Sequence, residues 1–302
     1  MKDIKRRIKF NKFWNYVFLI TGLLSTLVGL ALLFTLMTDL FLDGSQRLSY
    51  KFLTSFPSRF PEEAGILSAW VGTFLLMIVT AFAAIPLGVA AGIYLEEYAK
   101  KNWLTDIIEI NIANLAGVPS IIYGLLALGL FVYFFKFGES ILTGGLALAL
   151  LILPMVIMAT REAIRAIPNS IREASYALGA TKWQTVQWHI IPYSMGGILT
   201  GIIIGLSRAI GETAPIITVG ALTFIAFLPS PPISSEFPFF SFKWLLDPFT
   251  VMPIQIFNWI SRPQQEFHIN AAAAGIVLLI MTLMMNAAAI YIRYRFRKRI
   301  KW

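Results

Sequence analysis

Ser170-Ile-Arg-Glu-Ala-Ser-Tyr-Ala-Leu-Gly179-Ala-Thr-Lys-Trp-Gln-Thr-Val-Gln-Trp-His-Ile-Ile-Pro192 is a polar island between long apolar runs. It is too regular for a simple loop and too polar to span a bilayer. Ser170-x-x-Glu173 reads as a capping box, in which the serine accepts from the Glu173 N–H and the glutamate reaches back. Pro168 stops the helix before it. Gly179 ends the first short helix, because glycine takes the left-handed conformation cheaply. Thr181-x-x-Gln184 is a second capping box, opening a helix to about Ile190, before Pro192 and the next apolar run. The expectation is helix, glycine corner, helix, lying on the cytoplasmic surface where another protein can grip it. Ala174, Ala177 and Leu178 fall on one face. Glu173 is read either as a cap alone or as part of that surface, and Trp183 and Trp188 as headgroup anchors.

The runs around the island set the class. Of the 302 residues, 57% are hydrophobic and only 14% charged, and the mean hydropathy of +0.72 exceeds that of soluble domains. Several runs reach the roughly 20 residues that a hydrocarbon core of about 30 Å demands of a helix. The predicted fold is therefore an all-α membrane protein with six transmembrane helices. They lie near 14–37, 66–94, 118–135, 141–160, 193–221 and 269–292, with Pro86, Pro154 and Pro215 inside spans. The first is read as a retained span, since no small-residue cleavage pattern follows it. The amphipathic stretch 102–117 is expected to lie along the inner interface. The Pro- and aromatic-rich segment 222–268 is read as a packed external cap or a partner-docking surface, with a short helix near 250–261.

Charge sets the orientation. With the N-terminus inside, eighteen of the 25 Lys and Arg residues fall on the inner side, so both termini are expected to be cytoplasmic. The net charge of +9 is accordingly read as a topology signal and not as a nucleic-acid footprint. There are no cysteines and only two histidines, His189 and His268. Disulfides and thiolate metal sites are thus excluded, and a zinc centre is disfavoured. No metal ligands and no cofactor are assigned.

Leu206-Ser-Arg-Ala-Ile-Gly-Glu-Thr-Ala-Pro215 places two charges inside the fifth span. Arg208 and Glu212 are four apart and share a helical face. A central arginine costs about 2.5–3.5 kcal/mol on insertion scales, so such groups face a bundle interior or an aqueous path and have partners. The pair is read either as a structural salt bridge or as an anion site. In the latter the planar guanidinium fork suits phosphate oxygens, and Glu212 holds the fork or takes a proton. Ser207 and Thr213 flank the pair, and with Arg161 they complete the candidate substrate-pathway set.

Two resemblances follow. Glu173-Ala174-Ser175, then Gly179, then Ile190-Ile191-Pro192 resemble the EAA loop of ABC-transporter permeases, with Ser175 where alanine is usual and His189 where an aliphatic residue is usual. Arg208 with Gly211-Glu-Thr-Ala-Pro215 resembles the phosphate-importer (Pst-type) permeases, and the Thr-Ala-Pro ending their A subunit. Ala84-Ile-Pro-Leu-Gly-Val-Ala-Ala-Gly-Ile-Tyr-Leu-Glu-Glu-Tyr98 and Leu115-Ala-Gly-Val-Pro-Ser-Ile-Ile-Tyr-Gly124 agree, so the resemblance covers about residues 66–292. It implies the type I importer permease fold and a coupling helix carrying Glu173, Ala174, Ser175, Ala177, Leu178 and Gly179. The implied partners are a second permease subunit of the C type in a heterodimer, two copies of a cytoplasmic ATPase subunit, and an external phosphate-binding protein. Phosphate as cargo and a bacterial plasma membrane are implied with them. Some members carry an arginine near Met158, and Arg161 is read either as its replacement or as a positive-inside residue.

The expected organisation is 1–65 (cytoplasmic N-terminus, first span and first external loop), 66–292 (permease core with five spans and the coupling loop 161–192) and 293–302 (basic cytoplasmic tail). No Gly-Lys-Ser/Thr step is present, so the chain lacks the phosphate-cradling P-loop and is not expected to hydrolyse ATP. Permeases for sulfate, molybdate or another oxyanion are the nearest alternative. An ion-coupled secondary transporter is disfavoured because no inverted repeat is visible. A membrane enzyme is disfavoured because no catalytic cluster lies in the spans.

Overall fold

The structure is a computed structural model, and residues 2–232 and 239–297 are described. Among them there are twelve α-helices and no β-sheet. Long helices follow the apolar runs: α1 (Lys2–Gly44), α3 (Leu67–Ile93, extended by a π turn Tyr94–Tyr98), α6 (Ile141–Arg165), α9 (Ile191–Gly211) and α12 (Gln265–Arg297). Five are long and apolar enough to cross a membrane. A bent pair, α4 (Trp103–Leu115) and α5 (Ser120–Ala127, continued by a π segment Leu128–Phe134), turns through 106° across the break between them and brings the number to six if the pair is counted as one span. The expected span at 118–135 is thus the second limb of a bent pair, and the amphipathic stretch before it is a helix without a buried residue. A short helix, α11 (Met252–Ile260), lies where one was expected. The remaining short helix before the core is α2 (Tyr50–Thr54). The far part of the predicted basic tail, with Lys298, Arg299 and Lys301, lies outside the described residues.

Helix α6 is the centre of the bundle. Two-thirds of its apolar window is buried (67%), against none of α1 and 17% of α12. Leu148, Ile152 and Val156 meet Leu76 and Val79 of α3 and Ile198, Ile202 and Leu206 of α9 in one core. The α6–α9 contact is close because it is made of small residues. A Cβ on Gly197 would lie 2.6 Å from the Cβ of Ala163, and one on Gly201 would collide with Ala159. In a membrane, where apolar contact with lipid is as good as contact with protein, such backbone approach is what holds helices together. A second core, at the far end of the bundle, joins Phe52 of α2, Trp259 of α11 and Phe267 and Ala274 of α12.

The island departs from expectation at three points. Helix α7 (Asn169–Ala177) begins one residue before Ser170, with Pro168 as its cap and no side-chain capping bond. Pro168 at φ −58° and ψ 140° supplies the extended entry by itself, and Ser170 falls inside the first turn. The second capping box forms as expected: Thr181 accepts from the Gln184 N–H and Gln184 from the Thr181 N–H, opening α8 (Lys182–Thr185). But α8 does not end before the fifth span. It runs through a π turn (Val186–Ile190) directly into α9. Pro192 offers no N–H, and the wider turn before it absorbs the missing bond.

The fifth span also ends early. Glu212 takes an extended conformation (ψ 128°) that stops α9 at Gly211, and a separate turn, α10 (Ala214–Thr218), follows. Pro215 therefore lies in the first turn of α10, where a proline is well tolerated, and not inside the span.

Candidate functional site

Helix α7 is built to be rigid and to present one face. Its end is a Schellman turn: Gly179 at φ +83° donates to the Tyr176 carbonyl (2.9 Å) and Ala180 donates to the Ser175 carbonyl (3.2 Å). Ser175 is buried (5% exposed), its hydroxyl 2.9 Å from that of Thr185 in α8. That bond folds α8 back on α7. Glu173, Ala174, Ala177, Leu178 and Gly179 all face solvent, and Leu178 is 90% exposed. An apolar tip held this firmly is a knob for a complementary cleft.

Behind α7 lies a charged junction that reading for topology missed. Glu96 and Glu97 close the π turn of α3 and are split between partners. Glu96 meets Arg165 (3.0 Å) and Arg161 (3.6 Å) of α6. Glu97 meets Arg172 of α7 at 2.7 Å, with exposures of only 6% and 16%. Arg161 is 3% exposed and lies 2.5 Å from Glu109 of α4. Since α4 buries no residue, this ion pair is one of its main ties to the bundle. The visible signal was the doubled carboxylate ending an apolar run; its three arginine partners lie more than sixty positions on in the chain.

At the opposite end of α9, Arg208 and Glu212 do pair, Nε to Oε1 at 3.2 Å. They are 38% and 20% exposed, at the break between α9 and α10. Nε is the only arginine nitrogen engaged. Among the described residues Nη1 and Nη2 donate to nothing, which leaves the fork open. Ser207 donates to the Ile203 carbonyl (2.7 Å), and its oxygen lies 2.6 Å from the side-chain amide of Asn286 in α12. The Ile203 carbonyl and Asn286 Oδ1 are both acceptors for the single Ser207 hydroxyl proton, which is shared between them. Asn286 is a polar residue of the site that sequence reading did not single out. Thr213 is half-buried at the cap of α10 and makes no capping bond. Gly124 of α5 packs against Pro215 and Thr218 of α10.

Arg161 does not join this group. α6 and α9 are antiparallel with Ala163 beside Gly197 and Ala159 beside Gly201. That register sets Arg208 level with Ile152, about 14 Å along the axis from Arg161 at 1.5 Å per residue. A groove of about 360 Å³ between α3, α9 and α12 lies near by, lined by Phe74, Met77, Leu206, Ile210, Met281 and Met284. It has no polar group to orient an anion.

Residues 84–302 match the family model described as "Binding-protein-dependent transport system inner membrane component". A "Probable ABC transporter permease protein YqgI" of Bacillus subtilis is 33% identical over 273 residues, covering 89% of this chain and 90% of that one. A "Phosphate transport system permease protein PstA" of Yersinia pestis is 30% identical over 298 residues, covering 96% and 93%. Among solved structures, a bacterial ABC transporter involved in the import of the acidic polysaccharide alginate matches with a TM-score of 0.64 at 15% identity, over 92% of this chain and 95% of that chain. At that identity the last match speaks to fold alone, and the fold is that of type I importer permeases.

Proposed function

Because the chain belongs to the family of binding-protein-dependent transport system inner membrane components, and is thus a multi-pass plasma-membrane permease subunit of an ABC importer, we propose that its cargo is inorganic phosphate. The observation that carries this reading is the half-engaged guanidinium of Arg208 at the break of α9. An open planar fork binds two oxygens of a tetrahedral anion at once. Glu212 keeps the fork from folding back onto the backbone and can accept a hydrogen bond from a protonated phosphate. Relatives that carry phosphate-permease names at about 30% identity over most of the chain support the same cargo.

In this reading the chain forms half of the pathway beside a second permease subunit. An external phosphate-binding protein delivers the anion. Two cytoplasmic ATPase subunits supply the energy, and one of them grips α7 through Glu173, Ala174, Ala177, Leu178 and Gly179. Ser175 acts from behind, holding α7 to α8. The chain itself contributes pathway and coupling and no hydrolytic chemistry. Arg161, tied to Glu109 and Glu96, serves the inner end of the bundle and not the anion.

The test is phosphate uptake by the complete assembly carrying Arg208→Ala or Glu212→Gln. A lost charge-assisted contact is worth about 1.5–3 kcal/mol, so uptake by Arg208→Ala should fall by roughly 10–100-fold. Undiminished uptake in both variants sinks the anion site and leaves a structural salt bridge. Uptake of sulfate or molybdate in place of phosphate moves the cargo within the oxyanions.

A further inference from the structure

We propose that Arg172 is the joint through which movement of α7 is passed to α3 and α6, with Glu97 as its anchor in α3. The proposal rests on the reading of α7 as the ATPase-docking helix. Its basis is the number of elements that one guanidinium binds. Nε and Nη2 donate to the Glu97 carboxylate at 3.0 and 2.7 Å. Nη2 also donates to the carbonyl of Ile164 (3.3 Å), and Nη1 to those of Ile167 (3.0 Å) and the Asn169 side chain (3.3 Å). These contacts match all five donors that an arginine possesses. Ile164 lies in the last turn of α6, so the same side chain caps that helix end, where cations are favoured.

The arrangement separates the two faces of α7. Its outer face, with Leu178, is free to dock. Its inner face holds Arg172, Ser175 and Ile171; Ile171 packs into an apolar cluster with Ile164 of α6 and Ile93 of α3, while Arg172 makes the hydrogen-bonded and ionic link to the spanning helices. Glu97, adjacent in sequence, is kept in register by Glu96, whose two arginine partners belong to α6. A push on α7 therefore arrives at α3 and α6 together, as a rigid-body displacement and not as bending of the loop between Arg165 and Asn169. The buried carboxylate has no other hydrogen-bond partner among the described residues. A lysine would supply charge from a single point and could not bridge three elements.

The experiment uses the assembled transporter in vesicles, with its ATPase and external binding protein, comparing wild type, Arg172→Lys and Glu97→Gln. Both variants are expected to assemble and to hydrolyse ATP, while phosphate imported per ATP falls by about tenfold or more, as befits a broken buried ion pair. An unchanged ratio in both variants overturns the joint. So does a loss of uptake that only follows loss of the ATPase from the purified complex, because the pair is then merely structural. A second measurement is independent of cargo. The chain has no cysteine, so Tyr94→Cys with Ser170→Cys gives one spin-label pair between the end of α3 and the start of α7. In an otherwise unchanged chain that distance should stay constant between nucleotide-free and ATP-trapped states, and in Arg172→Lys it should change with nucleotide. A change without Arg172→Lys overturns the joint. A constant distance in an assembly that does not import phosphate leaves the joint standing and removes the cargo reading instead.

Discussion

At the residue scale, three residues decide what the molecule can do, and the two arginines among them are understood by counting their partners. Arg172 has every donor engaged and Arg208 has one nitrogen engaged. In the readings proposed above, the first is a mechanical part and the second takes the anion. Gly179 is decided by backbone alone. A Cβ there would meet nothing within 4 Å, yet φ is +83°. Gly179→Val should therefore cost about 1–2 kcal/mol purely through the left-handed conformation. Recovery of the ATPase with the purified permease should fall several-fold, and unchanged recovery would show that the corner does not shape the docking face. Gly179 was legible from sequence because its role is local. Arg172 was visible only as one positive charge among eighteen on its side, since its partner Glu97 lies 75 positions away.

At the element scale, α6 and α9 carry the bundle through glycine and alanine. Gly201→Leu would force a branched side chain into Ala159, and overpacking of this kind costs about 1–3 kcal/mol. A lowered melting temperature of the purified protein in detergent is expected. Gly196→Leu is the control, because nothing lies within 4 Å of its Cβ position. Equal melting of the two variants would discount the close contact. The elements themselves were readable as apolar runs, and the helix boundaries failed where tertiary demands intervene. The break after Gly211 is one such place: nothing in an apolar helix pattern requires Glu212 to leave it, and the pairing with Arg208 survives the break. The junction of α8 with α9 is another, where a π turn hides Pro192 inside a continuous helix.

At the scale of the whole molecule, the spans sort the charged ends. The α7 end carries Glu96, Glu97, Arg161, Arg165 and Arg172, and the Arg208–Glu212 break lies towards the other. The positive-inside rule predicts that α7 lies in the cytoplasm. The cysteine-free chain makes this directly measurable: a membrane-impermeant thiol reagent added to whole cells should label Tyr50→Cys and spare Ser170→Cys. Both positions are exposed. Labelling of Ser170→Cys from outside would invert the orientation and with it the direction of coupling.

The sequence by itself determined the solvent this protein lives in, its long apolar helices, the glycine that ends α7 and the capping box that opens α8. Each follows from hydropathy over twenty neighbours or from capping over four, and such local terms are complete within the stretch that bears them. Only the tertiary structure decided which charges meet. It paired Arg161 with Glu109, away from Arg208 and Glu212, set Arg172 across three helices, and bent α4 against α5. Charges in a weakly polar medium are governed by the nearest opposite charge, and that neighbour is chosen by the packing of helices far apart in the chain.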